Sequence, residues 1–228
     1  KDNNALLNFR KIEGREIIVV DYKVLFPHIM QICFPISRVV YDKNNSQYYN
    51  AIAIAEEIHK KYPQDNQEGN IEKIVSSNPL GALNDSKKSH YIEFTKIFTG
   101  KDKHFVCRHF GLLYKICCDF VNIPCKRIRG YFSSTDETGN QYLSNNHCWN
   151  IIKNDDDNFV LVDLMHSYCG HKICEDNPNS FDDTYSTNYY MPNIPLNQLE
   201  FTENIKRRTF VKDVGDKKRI LPESIPKI

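Results

Sequence analysis

The sequence predicts an α+β fold, and two patterns in the middle of the chain carry that prediction. Apolar residues recur at spacings of three and four between residues 106 and 120, as in an amphipathic helix. Between residues 147 and 164, two alternating apolar runs flank a polar turn, which indicates a pair of strands. The 228 residues suit one domain with a small addition. We predict a helical and strand extension over residues 1–66, packed on a core over residues 67–228.

Local patterns predict the elements of the N-terminal half. Residues 16–26 are rich in Ile, Val and aromatic residues, which favours a strand. Residues 48–62 predict a helix, which the proline that follows would stop. A polar linker is expected over residues 63–70 and a short helix over 71–76. Residues 89–98 fit a helix or a strand equally well.

A cysteine stands in the first turn of the helix predicted over residues 106–120. The unpaired N–H groups and the positive end of the helix dipole favour an anion at Cys107. The thiolate is the reactive form of cysteine. Further positive charge is expected from His104, Arg108 and His109. Cys117 and Cys118 fall in the helix interior and are expected to be small core residues, which is also the alternative interpretation of Cys107.

The strand pair places a histidine near an aspartate. The Asn- and Asp-rich residues 154–157 suit a turn, and a turn centred on Asp155 pairs residues whose numbers sum to 310. His147 then faces Asp163, within about one residue of register, and opposed side chains lie roughly 4.5–5.5 Å apart at Cβ. The carboxylate would keep one ring nitrogen protonated and leave the other as a base. The alternative is a surface hairpin with an incidental His–Asp pair.

The order cysteine, histidine, aspartate suits nucleophilic catalysis. A thiolate attacks a carbonyl carbon, an imidazole transfers protons, and a carboxylate fixes the tautomer of the imidazole. Cys107, His147 and Asp163 are therefore the candidate catalytic residues.

Several short motifs surround these three residues in a fixed order. They are Cys107 opening a helix, Asn122-Ile123-Pro124-Cys125-Lys126-Arg127, Gly130-Tyr131, His147-Cys148-Trp149 and Val162-Asp163. In the order and spacing of these motifs, over about residues 105–164, the chain resembles the transglutaminase-like branch of the papain-like cysteine enzymes. Asn122 stands where that family has glycine, and Lys126-Arg127 falls about where it has arginine.

The resemblance implies a fold and a chemistry. The fold would be a papain-like, transglutaminase-like core in which the cysteine helix packs on an antiparallel sheet. Cys107 would be the nucleophile, His147 the general base and acid, and Asp163 the orienting carboxylate. Trp149 would pack beneath the histidine strand, unless it is an ordinary core aromatic. The implied reaction is acyl transfer from an amide of a protein or peptide, as in a cysteine protease, a glutamine deamidase or a transglutaminase.

The chain departs from this family in two ways. The upstream tryptophan that stabilises the oxyanion in some members is missing. The backbone N–H of Cys107 would give one oxyanion donor, and Tyr91, His90 or a loop amide the second; Tyr91 is therefore a candidate cleft residue. No acidic cluster resembles the calcium sites of animal transglutaminases, so we expect no cofactor and favour hydrolysis over transamidation.

Composition narrows the classes of partner. The net charge of +1 gives no strong field for nucleic acid. No apolar run approaches the length of a membrane span. A nucleophilic cysteine must stay unpaired, so the eight cysteines favour a reducing compartment, either the cytoplasm or one reached by a secreted effector.

Two further hypotheses remain open. One is a catalytically silent scaffold of the same fold that binds a protein partner. The other is a structural zinc site, from four residues of zinc-ligand type within nine positions: His166, Cys169, His171 and Cys174. The usual paired CxxC spacing is missing, and the alternative is a loop lining the cleft. The chain after Asp163 is otherwise interpreted as a long loop, followed by a few closing strands over residues 195–221.

Overall fold

The computed structural model describes residues 17–40, 46–62, 91–99, 105–135, 138–166, 168–183, 188–201, 211–212 and 219–220. The chain divides into two compact units. One comprises residues 1–27, 65–104 and 206–228, and the other comprises residues 28–64 and 105–205. The predicted division after residue 66 stays a prediction.

The described residues contain helices and strands in an irregular order. The α-helices are α1 (Tyr22–Val40), α2 (Gln47–Lys61), α3 (Phe94–Thr99) and α4 (Cys107–Phe120), and a 3-10 helix covers Leu196–Gln198. The strands are β1 (Ile17–Val19), β2 (Tyr91–Glu93), β3 (Cys125–Thr135), β4 (Gln141–Lys153), β5 (Phe159–Asp163), β6 (Tyr168–Ile173), β7 (Phe181–Asp183), β8 (Asn188–Pro192), β9 (Val211–Lys212) and β10 (Arg219–Ile220). Among the helices of this described part, none combines the length and the apolar character that a membrane span needs.

The first unit contains two small strand pairs. β1 and β2 pair in parallel, and α3 follows β2 directly. β9 and β10 pair antiparallel. The described part of the ambiguous segment 89–98, from residue 91 on, is thus a strand that turns into a helix. The predicted linker over 63–70 and helix over 71–76 lie outside the described residues.

The strand predicted over residues 16–26 is wrong beyond its first part. β1 ends at Val19, and the chain is helical from Tyr22 onward. Leu25, Ile29 and Ile32 are all buried, at spacings of four and three, so a helical face of α1 outweighs the strand preference of its Ile and Val residues.

The helix predicted over residues 48–62 is confirmed as α2. Ser46 caps its N-terminus, where the hydroxyl accepts the backbone N–H of Tyr49 at 3.3 Å. The helix ends at Lys61, two residues before the proline.

The second unit is built around a closed antiparallel barrel of the strands β3, β4, β5, β6, β7 and β8. β8 pairs with β3 and closes the barrel, for example through Gly130 with Pro192 and Tyr131 with Met191. The α+β class is confirmed, but the expected antiparallel sheet is closed into a barrel. The residues after Asp163 that were interpreted as a loop supply β6, β7 and β8.

In the second unit, α4 and α2 pack on the outside of the barrel. Side chains of alternate strand residues fill the barrel interior: Ile128, Phe132, Trp149, Ile151, Leu161, Phe181 and Tyr190. The predicted cysteine helix is confirmed as α4, which packs against the outer side of β3 and β4. On its other side the Tyr114 hydroxyl donates to the carbonyl of Ala51 in α2 at 3.1 Å. α4 is therefore held between α2 and the barrel.

Candidate active site

Cys107 is the first residue of α4, and its thiol is partly exposed. All eight cysteines are free thiols. Cys169 is exposed as well, but in β6. The other six are buried: Cys33, Cys117, Cys118, Cys125, Cys148 and Cys174. Cys107 is therefore the thiol that combines access to solvent with a position at a helix N-terminus.

The N-terminus of α4 is capped by a histidine rather than by a hydroxyl or a carboxylate. The Nδ1 atom of buried His109 accepts the backbone N–H of Val106 at 3.4 Å. A ring nitrogen that accepts a hydrogen bond carries no proton, and the positive charge expected at His109 stays a prediction. His104 lies outside the described residues.

The hairpin turn is centred one residue later than predicted. Asn150 pairs with Val162, so paired numbers sum to 312 rather than 310. Continuing that register places Asp163 opposite Trp149 and diagonal to His147, still on the same face of the pair. Side chains as long as histidine reach a diagonal neighbour, so the shift leaves the two groups in contact.

Asn154 sets this turn. Its side-chain oxygen accepts the backbone N–H groups of Asp156 at 3.1 Å and Asn158 at 2.8 Å. Asp157 takes the left-handed conformation, with φ of 62°. Consecutive Asx residues make several turn positions equally suitable, which is why sequence alone placed the centre one residue early.

His147 and Asp163 form a buried pair. The distance from His147 Nε2 to Asp163 Oδ2 is 2.5 Å. Asp163 also accepts the Tyr190 hydroxyl at Oδ2, at 2.9 Å, and the backbone N–H of Met165 at Oδ1, at 3.0 Å. Both carboxylate oxygens thus have donors, as a buried charge requires.

The pair shifts the titration of both groups. Burial alone would lower the pKa of His147, but Asp163 and Cys107 outweigh it and raise the pKa to about 9. Burial would raise the pKa of Asp163, but His147 outweighs that effect, with smaller contributions from His166 and Tyr190, and the pKa is lowered. The pair therefore favours an imidazolium beside a carboxylate near neutral pH.

The structure also brings Cys107 to this pair. The thiol lies within hydrogen-bonding reach of the His147 ring. Asp163 occupies Nε2, which leaves Nδ1 for the thiol. The three candidate residues thus come together from α4, β4 and β5, and their catalytic roles stay a prediction.

The two supporting candidates have different outcomes. Trp149 is fully buried and stacks with His147, with ring centroids 5.9 Å apart. Its indole also meets the Tyr190 ring edge-on. Tyr91 lies in β2 of the first unit, and its side chain is not among those described. Its place in a cleft therefore stays a prediction.

Sequence reasoning missed two aromatic residues around His147. The Phe132 ring centroid lies 4.9 Å from that of His147 and 4.3 Å from that of His166. Tyr190 binds Asp163 from β8, inside a segment interpreted as a loop. The only signal for Tyr190 was the alternation of buried and partly exposed residues along β8, which is too short to identify alone.

A metal ion would find its ligands at the same place. Among the described residues, the ligand atoms of His147, Asp163 and His166 all lie within 4.8 Å of one another. Burial lowers the pKa of His166, so its ring is neutral at pH 7 and able to coordinate. This set includes only one of the four zinc candidates of the sequence.

The zinc candidates are separated by a bulge in β6. They are His166, Cys169, His171 and Cys174. Gly170 has φ of 85°, and the register shifts there: Val162 pairs with Cys169, but Leu161 pairs with His171. Val162 and Leu161 are neighbours in β5, so their side chains face opposite sides of the sheet. Their partners in β6 do the same, and Cys169 is exposed while His171 is buried. In the described part of the chain, no three of these four come together as a ligand group.

Two close contacts lie near His147, one between the helix and the barrel and one between two strands of the barrel. The Nδ2 atom of buried Asn150 donates to the carbonyl of Gly111, one turn after Cys107, at 3.0 Å. Gly130 lies against the chain of β8 so closely that a Cβ there would be 2.1 Å from the carbonyl oxygen of Met191. Gly130 pairs with His147 across the barrel, and Asn150 follows His147 by three residues in β4. Both contacts therefore lie close to the histidine.

Comparison with known proteins gives one match. Residues 22–170, from α1 into β6, match the family model described as EDR1/CTR1/ARMC3, peptidase-like. No curated protein and no solved structure matches the chain. The matched residues make up more than half of the sequence and contain Cys107, His147 and Asp163.

Proposed function

The chain belongs to the EDR1/CTR1/ARMC3 peptidase-like family, and from this premise we propose that it is a thiol hydrolase acting on amide bonds of polypeptides. One observation carries the proposal: the thiol at the N-terminus of α4 contacts a histidine whose Nε2 is 2.5 Å from a buried carboxylate. The narrower assignment, to a transglutaminase-like enzyme, is part of the proposal and rests on the motif resemblance.

The first half of the reaction forms a thioester. The Cys107 thiolate attacks the carbonyl carbon, and the carbonyl electron pair moves onto oxygen. As the C–O double bond re-forms, the C–N bond breaks and the nitrogen leaves with the Nδ1 proton of His147. Asp163 holds the ring in place through Nε2 throughout, since it remains ionised.

The second half returns the enzyme to its starting state. Neutral His147 takes a proton from water, and the oxygen attacks the thioester carbon. The C–S bond breaks, the acid leaves, and the thiolate faces an imidazolium again. The backbone N–H of Cys107 is the oxyanion donor that we assign, and loss of one such donor typically costs 10²–10³ in turnover.

Hydrolysis is favoured over transamidation by the peptidase-like description of the family. Cleavage of the main chain and deamidation of glutamine use the same steps and differ in the nitrogen that leaves. The alternative function is a silent scaffold of the same fold that binds a protein partner. Exposed large hydrophobic side chains on the strands next to the site, Tyr131 and Leu143, favour this second candidate.

The test is alkylation of Cys107 by iodoacetamide from pH 4 to pH 9, measured at each cysteine by mass spectrometry. We expect labelling below pH 7 to exceed that of N-acetylcysteine, a thiol without neighbouring protein groups. His147→Ala should lose this excess, by tenfold or more, because the imidazolium no longer stabilises the thiolate. Labelling no faster than N-acetylcysteine and indifferent to His147 would reject the enzyme and favour the scaffold.

A positive result leads to a screen of peptides by mass spectrometry. Cleavage gives two fragments, whereas deamidation keeps the length of the peptide and releases ammonia. Cys107→Ser is the matched control, because it keeps the shape of the side chain and removes the thiol. Turnover that persists in Cys107→Ser would exclude the thioester mechanism.

A further inference from the structure

Two arginines lie on the outer face of β3, beside the cysteine helix. Arg127 and Arg129 are exposed, whereas the residue that follows each of them, Ile128 or Gly130, is buried. This is the alternation expected along a strand. Among the residues that the structure describes, neither guanidinium forms an ion pair or a side-chain hydrogen bond. Two charged groups of one sign, i and i+2 on one face, are thus available to a ligand.

Contacts between α4 and β3 show how far along the strand the active-site thiol lies. The helix runs antiparallel to β3, because Cys118 near its end contacts Cys125 at the start of the strand. One turn after Cys107, Gly111 lies against the stem of Arg127, whose Cγ would be 3.5 Å from a Cβ at that glycine. These two contacts fix Arg127 beside the second turn of α4.

The same spacing places Arg129 beside the first turn. From Gly111 back to Cys107 is four residues, about 6 Å along a helix axis. From Arg127 on to Arg129 is two residues, about 6.6 Å along a strand. Arg129 is therefore level with Cys107. The barrel register agrees, because Arg129 pairs with Cys148, the neighbour of His147.

The buried thiol of Cys148 responds to all of these charges. Burial raises its pKa to about 12, while Arg127 and Arg129 lower it and Cys107 raises it. One side chain is therefore within electrostatic range of both arginines and of the candidate nucleophile.

We propose that Arg127 and Arg129 form an anion-binding strip that selects polypeptides carrying Asp or Glu side chains beside the attacked carbonyl. The proposal rests on the proposed function and names its substrate class. A guanidinium binds a carboxylate through two parallel hydrogen bonds. The spacing of i and i+2 in a strand equals that of alternate residues in an extended peptide, so acidic residues two apart fit the strip.

The test compares two alkylating reagents that share a reacting carbon and differ in charge. Iodoacetate is an anion and iodoacetamide is neutral, so the ratio of their rates at Cys107 reports the local positive charge. We expect Arg129→Gln to lower this ratio about 2.4-fold, as for one charge roughly 8 Å away in a water-like dielectric. Arg129→Lys, which keeps the charge, should preserve it, and Lys172→Gln, at an exposed cation of β6, should leave it unchanged.

If the ratio of the iodoacetate rate to the iodoacetamide rate is unchanged in Arg129→Gln, or falls equally in Lys172→Gln, the proposed anion-binding strip is wrong. The absolute rate with iodoacetamide below pH 7 tests the proposed function. The ratio is measured at pH 9, where any accessible thiol reacts, so it can be obtained even if Cys107 is an ordinary thiol. A negative result for one proposal is therefore distinguishable from a negative result for the other.

A second measurement tests the substrate class. A hexapeptide of alternating Glu and Ala should slow iodoacetamide labelling of Cys107 more than its Gln–Ala counterpart does. The difference should disappear in the double variant Arg127→Gln/Arg129→Gln. Equal protection by both peptides in the unsubstituted protein would show that the strip does not select acidic polypeptides.

Discussion

Tyr190 and His147 bind the same oxygen of Asp163. The tyrosine hydroxyl lies 2.9 Å from Oδ2, and the Nε2 atom of the histidine lies 2.5 Å from it. Tyr190 comes from β8, and the pair comes from β4 and β5. The closing strand of the barrel therefore completes the surroundings of a carboxylate that local sequence had already placed beside a histidine.

Tyr190→Phe removes one donor to a buried carboxylate. We expect the free energy of unfolding to fall by about 1.5–3 kcal/mol, the range for hydrogen bonds to charged groups. Urea unfolding at pH 7 measures this change. Tyr189→Phe is the matched control, because that side chain is partly buried and its hydroxyl accepts only from Asn177 among the described residues. Equal losses in both variants would contradict the role of the Tyr190 hydroxyl.

The His147–Asp163 pair makes stability depend on pH in a defined direction. The pKa of His147 is raised from 6.5 to about 9, so its contribution is complete below pH 6.5 and is lost as pH rises through about 9. The pKa of Asp163 is lowered from 3.8, so its contribution is complete above pH 3.8 and is lost as pH falls through the folded-state value. Urea unfolding from pH 3 to pH 10 should show both losses.

His147→Gln isolates the alkaline part of this profile. Glutamine does not titrate, so the unsubstituted protein should lose stability relative to the variant between pH 6.5 and pH 9. Parallel profiles across that window would show that His147 does not carry the raised pKa.

Asn150→Ala breaks the link between β4 and α4. The carbonyl of Gly111 then keeps its bond within the helix but loses the one from Asn150, which costs about 0.5–1.5 kcal/mol of unfolding free energy. Alkylation of Cys107 should also slow, because the helix is less firmly held against the strand of His147. Urea unfolding and site-resolved labelling give the two readouts, and exposed Asn193→Ala serves as control. Lost stability with unchanged labelling would limit Asn150 to a structural role.

Gly130→Ala tests the closest approach in the barrel. The new Cβ would lie 2.1 Å from the Met191 carbonyl oxygen and 2.6 Å from the Trp149 ring. We expect a loss of about 3 kcal/mol or more, because the backbone of β8 must shift. Gly139→Ala is the control: with φ of 83° and no atom within 4 Å, it should cost only about 1 kcal/mol of backbone strain. Thermal or urea unfolding that ranks the two variants equally would contradict the steric argument.

Local periodicity was sufficient to predict the elements that bear Cys107, His147 and Asp163. α4 and the β4–β5 hairpin are long enough for their spacing to identify them, and a turn brings the strands together without distant residues. The predicted hairpin register was off because five consecutive Asx residues, 154–158, suit several turn positions.

The rest of the site depends on contacts between distant residues. Tyr190 reaches Asp163 only when β8 pairs with β3, and β7 and β8 have three and five residues each. The bulge at Gly170 interrupts the alternation of exposed and buried residues along β6, so the sequence lacks the regular pattern that predicts a strand there. α1 was misjudged at its start because Ile and Val suit strands, whereas its burial follows a helical face.

Closure of the barrel limits how a polypeptide can bind. Each strand from β3 to β8 has a hydrogen-bonded neighbour on both sides over at least part of its length, so none of these described strands presents a whole free edge for strand addition by a ligand. Many peptide-binding domains obtain affinity from the ligand's main chain in that way. Here we expect a larger share of recognition to come from side chains such as the arginines of β3, so N-methylating a ligand's backbone should weaken binding less than neutralising its carboxylates.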